Sequence, residues 1–155
     1  MVVIADGFEE TDAVVLLSLL RQAGLCVKTV GLTNGLICSE HGVWIMPDMT
    51  IADLDRPTNT TSVGIVILPE GRQGLARLEA DPRVHRLLRK VVAHRGQIVT
   101  SAAGMRVPRA AAIWDRQTGG AAEDQWMPVV LREPGQSPEA LALDLIRRLK
   151  RPALV

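Results

Sequence analysis

The sequence predicts an α/β domain built on a mostly parallel sheet covered on both faces, and three observations carry that reading. Short apolar runs rich in β-branched residues recur at residues 2–5, 26–30, 63–68, 97–101 and 129–131. Segments with apolar residues at helical spacing lie between them. The two kinds alternate, as strand–helix–strand crossovers do, and such crossovers produce parallel pairing. At 155 residues with 47% hydrophobic content, the chain is read as one domain, residues 1–155, long enough to bury a core.

The elements follow in order. The first apolar run stops at the Asp6-Gly7 turn. A helix is expected over 11–23, with Ala13, Leu16, Leu17 and Leu20 on one face and Gly24 just past its end. The strand at 26–30 places Cys26 in the core. Runs at 36–38 and 43–46 flank Glu40-His41-Gly42 as a hairpin-like excursion, and the polar stretch 53–62, with Pro57 and Asn59, reads as a surface linker. Val-Gly-Ile-Val-Ile-Leu at 63–68 has the composition of a strand buried on both faces. The next helix is well marked: Asp81 caps it, Pro82 takes the first position, and Val84, Leu87, Leu88, Val91 and Val92 form its stripe. Gly96 leads into the strand at 97–101, and Gly104 into a helix toward Trp114. The last unit is the strand 129–131, a Pro134-Gly135 turn, and a helix opened by Ser137-Pro138 with Ala142, Leu145, Ile146 and Leu149 facing inward.

Composition excludes several classes of function. Basic and acidic residues number 18 and 17, leaving a net charge of +1, so no nucleic-acid or anionic-membrane partner is expected. No apolar stretch approaches the roughly 20 residues of a spanning helix. The apolar start ends at Asp6 without a basic leader, and Cys26 and Cys38 read as reduced thiols, so a cytoplasmic location is expected. His41, His85 and His94 are scattered without ligand spacing, and residues 71–74 lack the Gly-Lys-Ser/Thr ending of a phosphate loop. No metal and no cofactor is expected.

Parallel sheets bind ligands at the carboxyl ends of their strands. The turns that matter are therefore 6–12, 69–74 and 101–104. At these turns the chain resembles a known family. Val3-Ile4-Ala5-Asp6-Gly7-Phe8-Glu9-Glu10-Thr11-Asp12 is similar to the opening of the ThiJ/PfpI family. Ile65-Val66-Ile67-Leu68-Pro69-Glu70-Gly71 resembles its strand followed by Pro-Gly-Gly. Gly96 to Gly104, ending Thr100-Ser101-Ala102-Ala103-Gly104, resembles the strand and elbow that carry the family's Cys-Ala-Gly. Ala23-Gly24, Cys38-Ser39, Pro47-Asp48 and the final Pro-Gly-x-Ser helix fall in the same order. The resemblance implies a flavodoxin-like three-layer sandwich of the class I glutamine amidotransferase superfamily, usually a homodimer.

The departures bear on function. The family's nucleophile is a cysteine on a strained elbow, paired with an acidic residue on the first turn. Here those positions are Ala102, which has neither lone pair nor proton to use, and Asp12, one methylene shorter than the usual glutamate. Glu70 stands where bare backbone normally lines the pocket, while Gly71 keeps the backbone N–H of an oxyanion hole. No histidine follows His94, and the stretch between Trp114 and Met127, with Trp126 in it, is shorter than the family's pocket wall. A change at the nucleophile alone would leave the other features intact; here they depart together.

The pocket is thus expected from Asp12, Glu70, Gly71, Ser101, Ala102 and Ala103. Strand alternation directs Ser101 to the face opposite Ala102, in a packing or hydrogen-bonding role. Val15 and Leu19 are candidates for a homodimer interface, because the helix at 11–23 is apolar nearly all round, and Cys38 is a third because the resemblance implies a cysteine near that interface. Two functions remain. One is a non-catalytic dimeric binding or regulatory protein with a remodelled pocket for a small-molecule ligand. The other is a hydrolase, glyoxalase or deglycase-type enzyme using a non-cysteine site, with Asp12 and Glu70 sharing a proton.

Overall fold

The computed structural model describes residues 1–56, 62–114 and 127–150. Its centre is a six-stranded sheet made of β1 (Val2–Ile4), β2 (Thr29–Gly31), β5 (Met49–Thr50), β6 (Ile65–Ile67), β7 (Gln97–Thr100) and β8 (Val129–Leu131). The strand order is β5-β2-β1-β6-β7-β8, and every pairing is parallel. Order reverses between β1 and β6, so a crevice opens beyond the carboxyl ends of those strands. A separate antiparallel pair, β3 (Ile37–Cys38) and β4 (Trp44–Ile45), forms the hairpin that the sequence suggests.

Side chains alternate across the sheet and divide the core in two. Val3, Ala5, Val66, Leu68 and Ile98 face α2 (Ile51–Leu54), α3 (Arg72–Ala80), α4 (Pro82–Ala93) and α5 (Arg106–Ala110). Val2, Ile4, Ile65, Ile67 and Val99 face α1 (Glu10–Gln22) and α6 (Pro138–Lys150). β1 and β6 contribute to both layers, which is why their sequences are apolar without a polar alternate, and β7 does so through Ile98 and Val99. The result is the three-layer flavodoxin-like sandwich expected from sequence.

Several local expectations change. Helix α3 and the short β5–α2 unit are absent from the sequence reading. In α3, Gly74, Leu75 and Leu78 are buried at helical spacing, but Gly71 and Gly74 in its first turn read as loop. The strand expected at 26–30 begins at Thr29, leaving Cys26 exposed rather than in the core. The helix expected toward Trp114 is a 3₁₀ turn (Ala103–Met105) followed by α5, and Ala112 ends it with φ of 56°. Trp114 packs half-buried against the core instead of extending the helix. Pro57, Asn59 and Trp126, with most of the shortened wall, lie outside the described residues.

Candidate functional site

The carboxyl ends of β1, β6, β7 and β8 converge on one cleft, and each end supplies a residue that the sequence singles out or passes over. From the first turn comes Asp12. Glu9 caps α1, accepting hydrogen bonds from the amides of Thr11 at 3.2 Å and Asp12 at 2.6 Å. That cap starts the helix early and turns Asp12 inward, where its side chain is only 7% exposed.

Beyond β6, Glu70 and Gly71 enter the cleft. Gly71 has φ of 113°, and a Cβ there would lie 2.4 Å from the Gly7 carbonyl oxygen and 2.7 Å from the Glu9 nitrogen. Only glycine lets this turn and the first one touch. The contact is fixed by the Glu9 amide, which donates to the Glu70 carbonyl at 2.7 Å, and by the Gly74 amide, which donates to Gly7 at 3.0 Å.

Beyond β7 comes the elbow. Ala102 is exposed and begins the 3₁₀ turn with φ of −57° and ψ of −38°, ordinary right-handed helical backbone. The strain implied for the elbow is therefore missing, together with the thiol it would present. Ser101 is 8% exposed, and its Oγ accepts from the Gly104 amide at 3.3 Å. Ser101 and Ala102 both line the cleft, and the hydrogen bond to Gly104 gives Ser101 the structural role expected of it.

The residue the sequence reading passes over is Arg132, immediately after β8. Its Nη1 donates to both carboxylate oxygens of Asp12, each at 2.7 Å, and its Nε donates to the Gln136 carbonyl at 2.7 Å. With the Arg132 side chain 14% exposed, this is a buried ion pair. The signal lay in its place: a lone basic residue at the carboxyl end of a strand, just before Pro134-Gly135. Asp12 and Glu70 come close, since the Glu70 amide points at Asp12 Oδ2 at 3.4 Å. Arg132 holds Asp12 and stands 3.9 Å from the Glu70 carboxylate, so one guanidinium serves both.

Two hollows make up the cleft. One, about 400 Å³, is lined by Glu70, Ser101, Ala102, Arg132 and the turn 133–137. The other, about 280 Å³, is lined by Glu9, Glu40, Gly71, Arg72 and Arg106, with Glu70 and Ala103 common to both. All six expected pocket residues lie at this edge of the sheet. Neither thiol lines either hollow: Cys26 is exposed elsewhere, and Cys38 pairs with Trp44 in the hairpin.

Of the interface candidates, Val15, Leu19 and Cys38 are each half-buried. The exposed apolar residues beside them are Val14 on α1 and Val43, Trp44 and Met46 on the hairpin. The hairpin turn is tied to α1 by His41, whose Nδ1 lies 2.9 Å from Glu10 Oε1. Partial burial acts to raise the Glu10 carboxyl, but its own amide, Ser39 and His41 outweigh that and hold it below the usual carboxylate range. Glu9, Glu10 and His41 are the metal-capable trio among the described residues; Glu9 is committed to the α1 cap, and His41 is exposed. His85 and His94 bond to backbone carbonyls of Glu79 and Lys90, in structural roles. No helix among the described residues is long and apolar enough to cross a membrane.

Comparison with known proteins agrees with this geometry. The chain matches the DJ-1/PfpI family over residues 1–120. The Parkinson disease protein 7 homolog of Danio rerio is 30% identical over 106 residues, which is 67% of this chain and 54% of that protein. The chain thus aligns with about half the length of that relative. A DJ-1 superfamily protein of Salmonella typhimurium, solved as a cysteine-to-alanine mutant, superposes with a TM-score of 0.72 at 25% identity, covering 96% of this chain and 88% of the other. Oxidized DJ-1 of Toxoplasma gondii shares the fold, with a TM-score of 0.78 at 20% identity over 96% and 89% of the two chains.

Proposed function

Because this chain belongs to the DJ-1/PfpI family, we propose that it is a non-catalytic, single-domain member of it: a cytoplasmic homodimer that binds a small molecule in a remodelled cleft. One observation carries the reading. At the position of the family's nucleophile stands the methyl group of Ala102, on relaxed backbone. Loss of the nucleophile in enzymes of this kind costs on the order of 10⁶ in turnover.

The surroundings support it. Asp12, the acidic partner position, has both carboxylate oxygens engaged by Arg132 and so offers little to a substrate. The same ion pair argues against an enzyme built on Asp12 and Glu70, because a general base needs a free lone pair directed at its proton. The cleft volumes, about 280 and 400 Å³, suit a small ligand.

The test compares the wild-type protein with Ala102→Cys on methylglyoxal, while the new thiol is titrated with a thiol-reactive probe. The wild type is expected to give no turnover. The mutant is expected to give a reactive thiol, its pKa lowered from about 8.5 at the start of the helical turn, but little turnover. Robust wild-type turnover overturns the non-catalytic reading. Robust turnover in the mutant alone shows a site intact but for its nucleophile.

A further inference from the structure

We infer a second binding site, at the edge of the sheet opposite the cleft, for a small aliphatic carboxylic acid: its chain lies in an apolar hollow and its carboxylate is held at Lys28. The inference is independent of the cleft and of the catalytic question there.

A hollow of about 360 Å³ opens where the chain enters β1, β2 and β6, with Met1, Lys28 and Gly64 among its lining residues. It shares no lining residue with the two hollows of the cleft. Its walls are aliphatic: Leu20 and Leu25 at and just beyond the end of α1, Ile65 and Ile67 from β6, and Leu145 and Leu149 from α6. Leu20 and Leu145 belong to the buried layer between α1, α6 and the sheet. Helical spacing places Leu149 on the same face as Leu145, and it lines the hollow with 43% of its surface still exposed. A hydrocarbon chain laid there removes this surface from water, in a space of the size that small ligands occupy.

Charge at the hollow has one sign. Lys28 is the sole charged side chain among the described residues that line it, and it is exposed and without an ion pair among the described residues. The carboxylate near enough to feel it is Asp48. Asp48, however, already accepts from the Thr29 amide and hydroxyl and from Arg21 Nη2, at 2.7–2.8 Å, which leaves the Lys28 ammonium for a ligand. An ammonium beside an apolar wall favours a carboxylate and repels a cation. Cys26, exposed and also in the lining, reports whether the hollow is occupied.

Octanoate, octanol and octylammonium share one chain and differ in charge. Calorimetry gives their affinities, and peptide-mapped labelling of the wild-type protein with a thiol-reactive probe gives the place. Bound octanoate is expected to slow labelling of Cys26 and to leave that of Cys38, in the hairpin, unchanged. Octanoate is expected to bind about fivefold tighter than octanol, the scale of one exposed charge pair, with octylammonium the weakest. Lys28→Gln should bring octanoate and octanol to parity, whereas Lys90→Gln, exposed on α4, changes nothing. Leu149→Asp puts a charge at an already exposed position, so the fold stands, and it should weaken octanoate and octanol alike. Octylammonium binding as tightly as octanoate overturns the carboxylate class. Binding that leaves Cys26 labelling unchanged puts the ligand elsewhere and overturns the site. No octanoate binding by the wild type, or a Cys26 that is unreactive without ligand because the protein itself fills the hollow, overturns the inference outright. Methylglyoxal turnover bears on the cleft alone, so the two readings fail separately.

Discussion

Both oxygens of Asp12 accept from one nitrogen of Arg132, at 2.7 Å each, across 120 residues of sequence. The pair ties the first turn of α1 to the strand end of β8 and is nearly closed to water, with side chains 7% and 14% exposed. Removing one partner leaves a buried charge without compensation. Arg132→Met is therefore expected to destabilise the fold by about 3–5 kcal/mol, and Asp12→Asn by a similar amount. The double variant should recover much of that loss. Urea denaturation of the four proteins decides it: additive losses would show that the two side chains do not act as a unit.

Gly71 joins the second turn to the first, and its conformation explains why glycine is required there. A methyl group would meet backbone atoms of Gly7, Phe8 and Glu9 at 2.4–2.8 Å, and φ of 113° strains any side chain. Neither backbone segment yields cheaply, because the Glu9 and Gly74 amides are hydrogen-bonded across the contact. Gly71→Ala is expected to cost about 3 kcal/mol or more and to lower the melting temperature by several degrees. A melting curve within one degree of wild type would mean that the two turns do not touch as described.

Much of this architecture was legible because the central strands are buried on both faces. Residues 63–68 are apolar whichever way they point, as are Ile98 and Val99 in the next strand, and the Asp81-Pro82 start of α4 is explicit in the chain. What escaped were elements whose signals compete. Helix α3 opens with glycines that serve close packing against the first turn rather than a loop, and Gly74 is one of its buried residues. Arg132 escaped because its role is set by Asp12, 120 residues away, and no local pattern encodes that meeting.

Asp48 makes acid sensitivity predictable. Burial works against its charge, but the amide and hydroxyl of Thr29, at 2.7 and 2.8 Å, with Arg21 and Lys28, hold its carboxyl below the usual carboxylate range. Asp53 and Asp81 are also lowered, by hydrogen bonds from Thr50 and Arg83. A depressed folded value means that the unfolded chain binds more protons between the two values. The stabilisation is complete above the unfolded value, about 3.9 for aspartate, and is lost as pH falls through the folded one. The aspartate contribution to the unfolding free energy measured in urea should stay level from about pH 7 to 5 and fall steeply below about 4. Asp48→Asn should cost about 1–2 kcal/mol at neutral pH and flatten part of that fall. A variant with an unchanged acid limb would remove Asp48 from the account.

The proposed homodimer makes the last and most direct prediction. Val14 is 46% exposed and Trp44 61% exposed, and Val43 and Met46 continue the apolar surface along the hairpin. The His41–Glu10 contact holds that hairpin turn against the start of α1, so the two apolar segments belong to one face. A patch of this kind on a small domain is costly in water and is characteristic of a covered surface. A second copy covers it without any further component, since a two-fold axis brings like patches together. Light scattering at micromolar concentration should give twice the chain mass for the wild type. Val14→Asp and Trp44→Glu place a charge in that face without touching the core, so each should shift the mass to that of one chain and leave the far-UV spectrum unchanged. Wild-type protein that stays monomeric would overturn the dimer. Dimers that survive both substitutions would move the interface to another face.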